Sequence, residues 1–229
     1  VMTTVSQGAY RDSGLTRAVL RGGTYQAADT ADERVAQVAA VLARGERSFT
    51  YVYWFELDRI GHEFGVDSEE WRATLARTDE FVGRLVDALP AGTTLIVTAD
   101  HGMVDCPPAA RISIEDNPSL MQGIHRIAGE PRARHIYAQP GAGIDLEQSW
   151  RSELKGRAMV LTRAQVIDEG LLGPVDDSLE ERIGDIMAIA TERAMLASRV
   201  DSTVSRLLGQ HGALTPDEVR IPALLHRRT

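Results

Sequence analysis

The chain has 229 residues, 43% of them hydrophobic and 25% charged, which supplies enough apolar side chain for one sizeable core and excludes disorder throughout. Its 20 glycines and 9 prolines are too few for a collagen-like or linker-dominated chain. No apolar run reaches the ~18 residues of a membrane helix, and a net charge of -8 with no basic patch excludes a binder of nucleic-acid duplexes. The single cysteine, Cys106, has no partner for an internal disulfide, and no secretory signal precedes the first structured segment. Together these set a cytoplasmic expectation and one domain over residues 1–229, which the order of its elements makes α/β with a looser peripheral region over about 105–200.

In chain order, residues 24–45 read as a helix, because Thr30-Ala31-Asp32-Glu33 has the form of a capping box and Val35, Val38, Val41 and Leu42 follow at helical spacing. Residues 48–55 are β-branched and aromatic and nearly free of charge, as in a strand buried on both faces. A second helix is predicted from Ser68 to Leu89, with Glu69 and Glu70 in its first turn and Pro90 and Gly92 ending it. Thr94–Thr98 then forms another short strand of the buried type. Strand, helix, strand is a βαβ unit, whose two strands are expected to run parallel and to neighbour each other or nearly so.

Beyond residue 105 the prolines at 107, 108, 118 and 131 separate strand candidates near 111–114 and 134–138. A helix near 145–154, a strand at 158–162 and a short helix capped by Thr162 follow, and residues 186–190 and 194–198 are expected to pair as strands. Gly209-Gln210-His211-Gly212 reads as a turn, and Thr215-Pro216-Asp217-Glu218 as a capping-box start with proline in the first helical position.

Open parallel sheets carry functional side chains just outside the carboxyl ends of their strands. Here the two strand ends deliver Asp58 and His62, separated by three residues, and the adjacent Asp100 and His101. A carboxylate with a neutral imidazole is the mixed oxygen and nitrogen donor set that suits zinc or a similar divalent ion. One such pair alone is common by chance; two pairs at the ends of one βαβ unit point to metal binding.

The segments Tyr53-Trp54-Phe55-Glu56-Leu57-Asp58 through Gly61-His62-Glu63-Phe64-Gly65, and Thr98-Ala99-Asp100-His101-Gly102-Met103, resemble the type I phosphodiesterase and nucleotide pyrophosphatase branch of the alkaline phosphatase superfamily. Gly209-Gln210-His211-Gly212 resembles the late histidine motif of that family, so the likeness runs from about residue 10 onward. It implies a mainly parallel α/β sheet flanked by helices, and hydrolysis of phosphodiester or pyrophosphate bonds in a small phosphodiester or nucleotide substrate. It also implies a two-metal site, zinc or else manganese or another divalent ion, with Asp58, His62 and His211 on one ion and Asp100 and His101 on the other. Ions about 3.5–4 Å apart in such sites clamp the attacking and leaving oxygens of an in-line displacement.

The family's serine or threonine nucleophile and a further aspartate ligand have no match here: Thr3, Thr4, Ser6, Ser13 and Thr16 are the early hydroxyls, and none follows a buried strand bearing an aspartate. The expectation is therefore a C-terminal portion lacking its first βα units, with no catalytic residue of its own, a weak second metal site and weak or absent activity. A sheet edge exposed in that way favours pairing with the missing N-terminal segment or self-association. Two alternatives stay open: a phosphomonoesterase, phosphonate or phosphosugar enzyme of the same superfamily, and a non-catalytic truncated chain that keeps a metal site.

Other conspicuous residues read as structural. His125, His135 and His226 are expected to be solvated or hydrogen-bonded, and Trp54, Trp71 and Trp150 to be packing residues. Cys106-Pro107-Pro108-Ala109-Ala110-Arg111 is superficially similar to a sulfatase signature, but its arginine comes one position too late and the segment follows the metal pair instead of preceding it. Glu130 and Arg132 have no chemical role assigned.

Overall fold

A computed structural model describes residues 1–229. The elements begin with β1 (Met2–Ser6), α1 (Gly14–Val19), β2 (Thr24–Ala27), α2 (Ala31–Leu42), β3 (Phe49–Val52), α3 (Glu56–Phe64) and α4 (Glu69–Ala88). Next come β4 (Thr94–Thr98), β5 (Val104–Asp105), β6 (Arg111–Ser113), α5 (Pro118–Met121), β7 (Ile124–Glu130), β8 (Ala133–Ala138) and α6 (Gly143–Glu153). The chain closes with β9 (Ala158–Thr162), α7 (Arg163–Asp168), β10 (Ile186–Ala190), β11 (Met195–Ala197), β12 (Gly209–Gln210), α8 (Pro216–Val219) and β13 (Ala223–Arg227). No helix is long and apolar enough to cross a membrane. Two compact units are formed: Val1–Ile60 with Asp67–Thr98 and Pro222–Thr229, and Gly61–Val66 with Ala99–Ile221.

In the first unit, β1 lies between β2 and β3 and pairs with both in parallel. Helix α2 starts at the expected capping box, because Thr30 accepts from the Glu33 N–H and the Glu33 carboxylate accepts from the Thr30 N–H. Residues 24–27, expected to open that helix, instead form β2: Thr24–Ala27 satisfies its backbone against β1 before the cap at Thr30. Helix α4 begins at Ser68, whose hydroxyl accepts from the Trp71 N–H. Val38, Phe81 and Leu85 then bury against Val5 and Ala28, with Val52, Trp54 and Leu95 partly buried beside them.

The expectation for the βαβ strands is corrected in two respects. β3 pairs only with β1, and β4 pairs antiparallel with β13, so β3 and β4 share no ladder. Neither strand is buried on both faces: Phe49 is 64% exposed and Ile96 61%. In both strands exposed and half-buried residues alternate, so one face is covered and the other is not.

The second unit is built on the antiparallel sheet β7-β8-β10-β9. β10 is buried on both faces: Ile186 and Ala188 join Trp150, Leu146, Ile136 and Leu196 on one side, while Met187 and Ile189 join Val166, Leu161 and Ile183 on the other. The stretch expected to be looser therefore carries two apolar clusters. Trp150 is wholly buried and donates its ring N–H to the Leu120 carbonyl at 2.9 Å. The expected pairing of 186–190 with 194–198 does not occur, since β10 is taken by β8 and β9 and β11 pairs in parallel with β6. β7, an open edge of the sheet, breaks register between Ile124 and Arg126.

Candidate metal centre

The segment leading into α3 is pinned from both sides within the first unit. The Tyr10 ring packs edge-on against Tyr53 and Phe55, with centroids 6.2 and 6.1 Å apart. Trp54 stacks on Phe81 at 4.3 Å, donates its ring N–H to Thr78 at 3.0 Å and lies under the buried Arg34 guanidinium at 4.9 Å. Glu56 and Asp58 then sit in the first turn of α3, where carboxylates stabilise the positive end of the helix dipole. The helix ends at Gly65, whose φ of 90° only glycine adopts without strain and whose N–H donates to the Gly61 carbonyl at 2.9 Å. Asp58 and His62 lie one turn apart on this helix, a spacing that puts both side chains on the same face.

His62, His101, Asp100 and His211 all belong to the second unit, and the structure gathers the three imidazoles. The rings of His101 and His211 stack with centroids 3.5 Å apart and planes 14° from parallel, and His62 lies 5.2 Å from His211. His62 Nδ1–H donates to the Gly209 carbonyl at 2.7 Å, and His101 Nδ1–H donates to the Gly102 carbonyl at 2.8 Å. A carbonyl oxygen only accepts, so in both rings Nδ1 carries the proton and Nε2 is the basic nitrogen. Asp100, three-quarters exposed, has a carboxylate oxygen 3.8 Å from His101 Nε2. The shortest ring approach is thus between His101 and His211, which the family likeness puts on different ions. Asp58 falls in the first unit, one turn ahead of His62.

Two motif glycines have a packing explanation. A Cβ on Gly209 would stand 2.3 Å from the Gly61 carbonyl oxygen and 2.5 Å from Met103 Sδ. The glycine lets β12 approach α3 closely enough for its carbonyl to reach His62 and for the Leu208 N–H to donate to the His62 carbonyl at 2.9 Å. At Gly102 the clearance is smaller still, with the Asp217 carbonyl oxygen 2.0 Å from where a Cβ would be. There the Gly102 N–H donates to the Glu218 carbonyl at 2.7 Å.

The remaining candidates fall where structural side chains fall. His125 and His226 are exposed. His135 Nδ1 accepts from the Gly184 N–H at 3.2 Å, and burial holds its pKa below the usual histidine value. Cys106 is fully buried, and desolvation raises its thiol pKa against the opposing pull of Arg132.

What the sequence did not disclose is the pairing of Arg132 with Glu218, a wholly buried ion pair joined by two hydrogen bonds of 2.7 and 2.6 Å. Burial alone would raise the Glu218 pKa, but bonds from Arg132, Thr215 and the Ala213 N–H outweigh it and leave the carboxyl lowered. The expected capping box at Thr215 does not form: Thr215 makes no side-chain cap, and its hydroxyl donates to the Glu218 carboxylate instead. The available signal was Pro131-Arg132-Ala133-Arg134-His135-Ile136, where one arginine stands just before a strand and a second lies inside it among mostly apolar neighbours.

Residues 4–214 match the family model described as type I phosphodiesterase / nucleotide pyrophosphatase. Among curated proteins, the chain is 33% identical over 91 residues to bis(5'-adenosyl)-triphosphatase ENPP4 of Bos taurus, a match covering 36% of this chain and 20% of that protein. Among solved structures, murine ectonucleotide pyrophosphatase / phosphodiesterase 5 superposes with a TM-score of 0.77 at 20% identity, covering 99% of this chain and 60% of that one. Phosphonoacetate hydrolase from Sinorhizobium meliloti 1021 gives 0.64 at 18% identity, covering 100% of this chain and 65% of that one. The chain therefore spans about 60% of the length of the structures it resembles, and its mixed α/β fold is theirs. With the family model matching over most of its length, the chain belongs to the type I phosphodiesterase / nucleotide pyrophosphatase family.

Proposed function

We propose that the protein hydrolyses phosphodiester or pyrophosphate bonds of small nucleotide-type substrates with the help of two divalent ions, zinc in the first place. Asp58, His62 and His211 are assigned to one ion and Asp100 and His101 to the other, following the family likeness. The observation that supports this most is the tautomeric state of His62 and His101: each Nδ1–H is held by a backbone carbonyl, which fixes the ring and makes Nε2 the donor. A set of three imidazoles and two carboxylates suits zinc better than magnesium or calcium, which prefer oxygen.

When bound, such ions stabilise charge on the attacking and leaving oxygens of an in-line displacement at phosphorus. The protein's own part is to fix the rings through Gly209 and Gly102 and to present Asp100 toward solvent. A chain with a net charge of -8 repels an anionic substrate, so local positive charge from the ions also serves binding. Its early hydroxyls have structural tasks: Thr3, Thr4 and Ser6 are buried on β1, and Ser13 caps α1 while bonding to Thr16. We therefore assign no nucleophile, and this chain alone is proposed to turn over weakly or not at all.

The test is zinc content by elemental analysis together with hydrolysis of bis-p-nitrophenyl phosphate and p-nitrophenyl phosphate, on this chain and on the longest form of its gene product. Zinc in both forms, with diester turnover only in the longer one, is the expected result. Absence of zinc from both overturns the ligand assignment, and equal turnover in both overturns the statement on the nucleophile. Faster cleavage of the monoester overturns the substrate class.

A further inference from the structure

The Arg132 and Glu218 side chains are 0% and 1% exposed. Replacing such a pair by apolar side chains is often neutral or stabilising, because desolvation offsets the Coulombic gain, so stability alone does not account for it. What distinguishes this pair is where Glu218 reaches. Its carbonyl accepts from the N–H of Gly102, the residue after His101, at 2.7 Å. Its carboxylate accepts from the N–H of Ala213, two residues after His211, at 3.0 Å.

Glu218 lies in α8, a four-residue helix too short to hold itself in place. Arg132 supplies the anchor: its guanidinium grips both carboxylate oxygens and also donates to the Ala194 carbonyl beside β11. One residue thus joins the two loops that carry the stacked imidazoles, and a second ties it to the core of the unit. We propose that Arg132 and Glu218 are positioning residues for the His101–His211 pair, setting the spacing of the two rings through the Gly102 and Ala213 amides.

The metal arm of the test rests on His101 and His211 being zinc ligands as read above; the ring arm does not. The full chain is compared with the double variant Arg132→Met/Glu218→Leu, which removes the buried charges together and with them the acceptor for Ala213. A matched control, Arg134→Met/Asp201→Leu, removes another arginine–carboxylate pair of the same unit that bonds neither loop. Readouts are thermal unfolding, the imidazole NMR shifts of His101 and His211 without metal, and titration with zinc chloride alone.

The expected result is a folded double variant in which both ring shifts move and zinc affinity falls by about 10- to 100-fold, as when other partners that orient a ligand are removed. The control keeps both near the parent. A folded double variant with parental ring shifts overturns the proposal, as does an equal change in the control. If the parent itself binds no zinc, the ligand assignment falls and the ring shifts alone decide the positioning role. If the double variant does not fold, hydrogen exchange in the unmodified chain decides: the Gly102 and Ala213 amides are expected to be protected to the level of β10, and exchange at open-loop rates overturns the proposal.

Discussion

The rings of His101 and His211, 110 positions apart in sequence, lie face to face with 3.5 Å between centroids. Replacing His211 by phenylalanine keeps an aromatic ring on His101 but removes the nitrogen donor. His211→Phe is expected to cost about 1–3 kcal/mol of stability, since the larger ring overpacks the stack, while zinc affinity drops at least tenfold. His211→Ala loses both the stack and the donor. Urea unfolding and zinc titration of the two variants check this, and equal zinc binding by His211→Phe removes His211 from the ligand set.

Gly209→Ala is expected to be disproportionately damaging. Its Cβ meets a backbone carbonyl at 2.3 Å and a methionine sulfur at 2.5 Å, so β12 has to retreat from α3. Overpacking of this kind costs about 1–3 kcal/mol, and the retreat also lengthens the His62–Gly209 hydrogen bond. The urea midpoint is expected to fall and the His62 ring shift to move toward that of the unfolded chain. An unchanged ring shift with a lowered midpoint would limit the role of Gly209 to packing.

Stability is expected to decline in two stages as pH falls. His135 has a pKa held below its unfolded value by burial, so the unfolded chain binds the extra proton first, and stability is lost as pH drops below ~6.5. Glu218 is likewise lowered, held by Arg132, Thr215 and Ala213 against the cost of burial. Its contribution is complete above the unfolded carboxyl value of ~4.3 and disappears as pH falls through the folded value. Thermal unfolding from pH 8 to pH 3 checks both stages, and His135→Gln is expected to flatten the upper one alone.

Cys106 offers a reporter on the second unit. Its sulfur is fully buried, 3.9 Å from the Ala194 carbonyl and 3.8 Å from the Arg132 guanidinium, and its thiol pKa is raised by desolvation. The folded chain is expected to resist a thiol reagent at pH 8 and to react fully in urea. Rapid labelling without denaturant would show that the Arg132 environment opens readily. Cys106→Ala is expected to leave zinc affinity within about twofold of the parent, with ~1 kcal/mol lost to the small void.

Features fixed by residues close in sequence were legible. The caps at Thr30, Ser68 and Thr162 and the strand Ala158–Thr162 fall where local pattern puts them, because a cap is satisfied within three residues. His62, His101 and His211 were singled out as candidates by their chemistry, although the helix that carries His62 was not. Choice of partner was not legible: β4 bonds to β13, about 130 residues away, and nothing in Thr94–Thr98 distinguishes that from pairing with β3. β7 escaped notice because the apolar residues of Ile124–Glu130 do not alternate with polar ones, and the segment becomes a strand through its ladder with β8. Glu218 was misread for the same reason, since the partner that turns its carboxylate away from the cap is 86 residues earlier.

The register break between Ile124 and Arg126 has a consequence for how far the four-stranded sheet can grow. An incoming strand needs an unbroken row of amide and carbonyl groups at regular spacing, and a bulge interrupts that row and twists the edge away. His125 and Arg126 are both exposed there, and the guanidinium lies over the Tyr137 ring at 5.1 Å. Addition of a strand from a second molecule therefore meets an interrupted row at the start of β7, and Arg126–Glu130 is the stretch left in register for it.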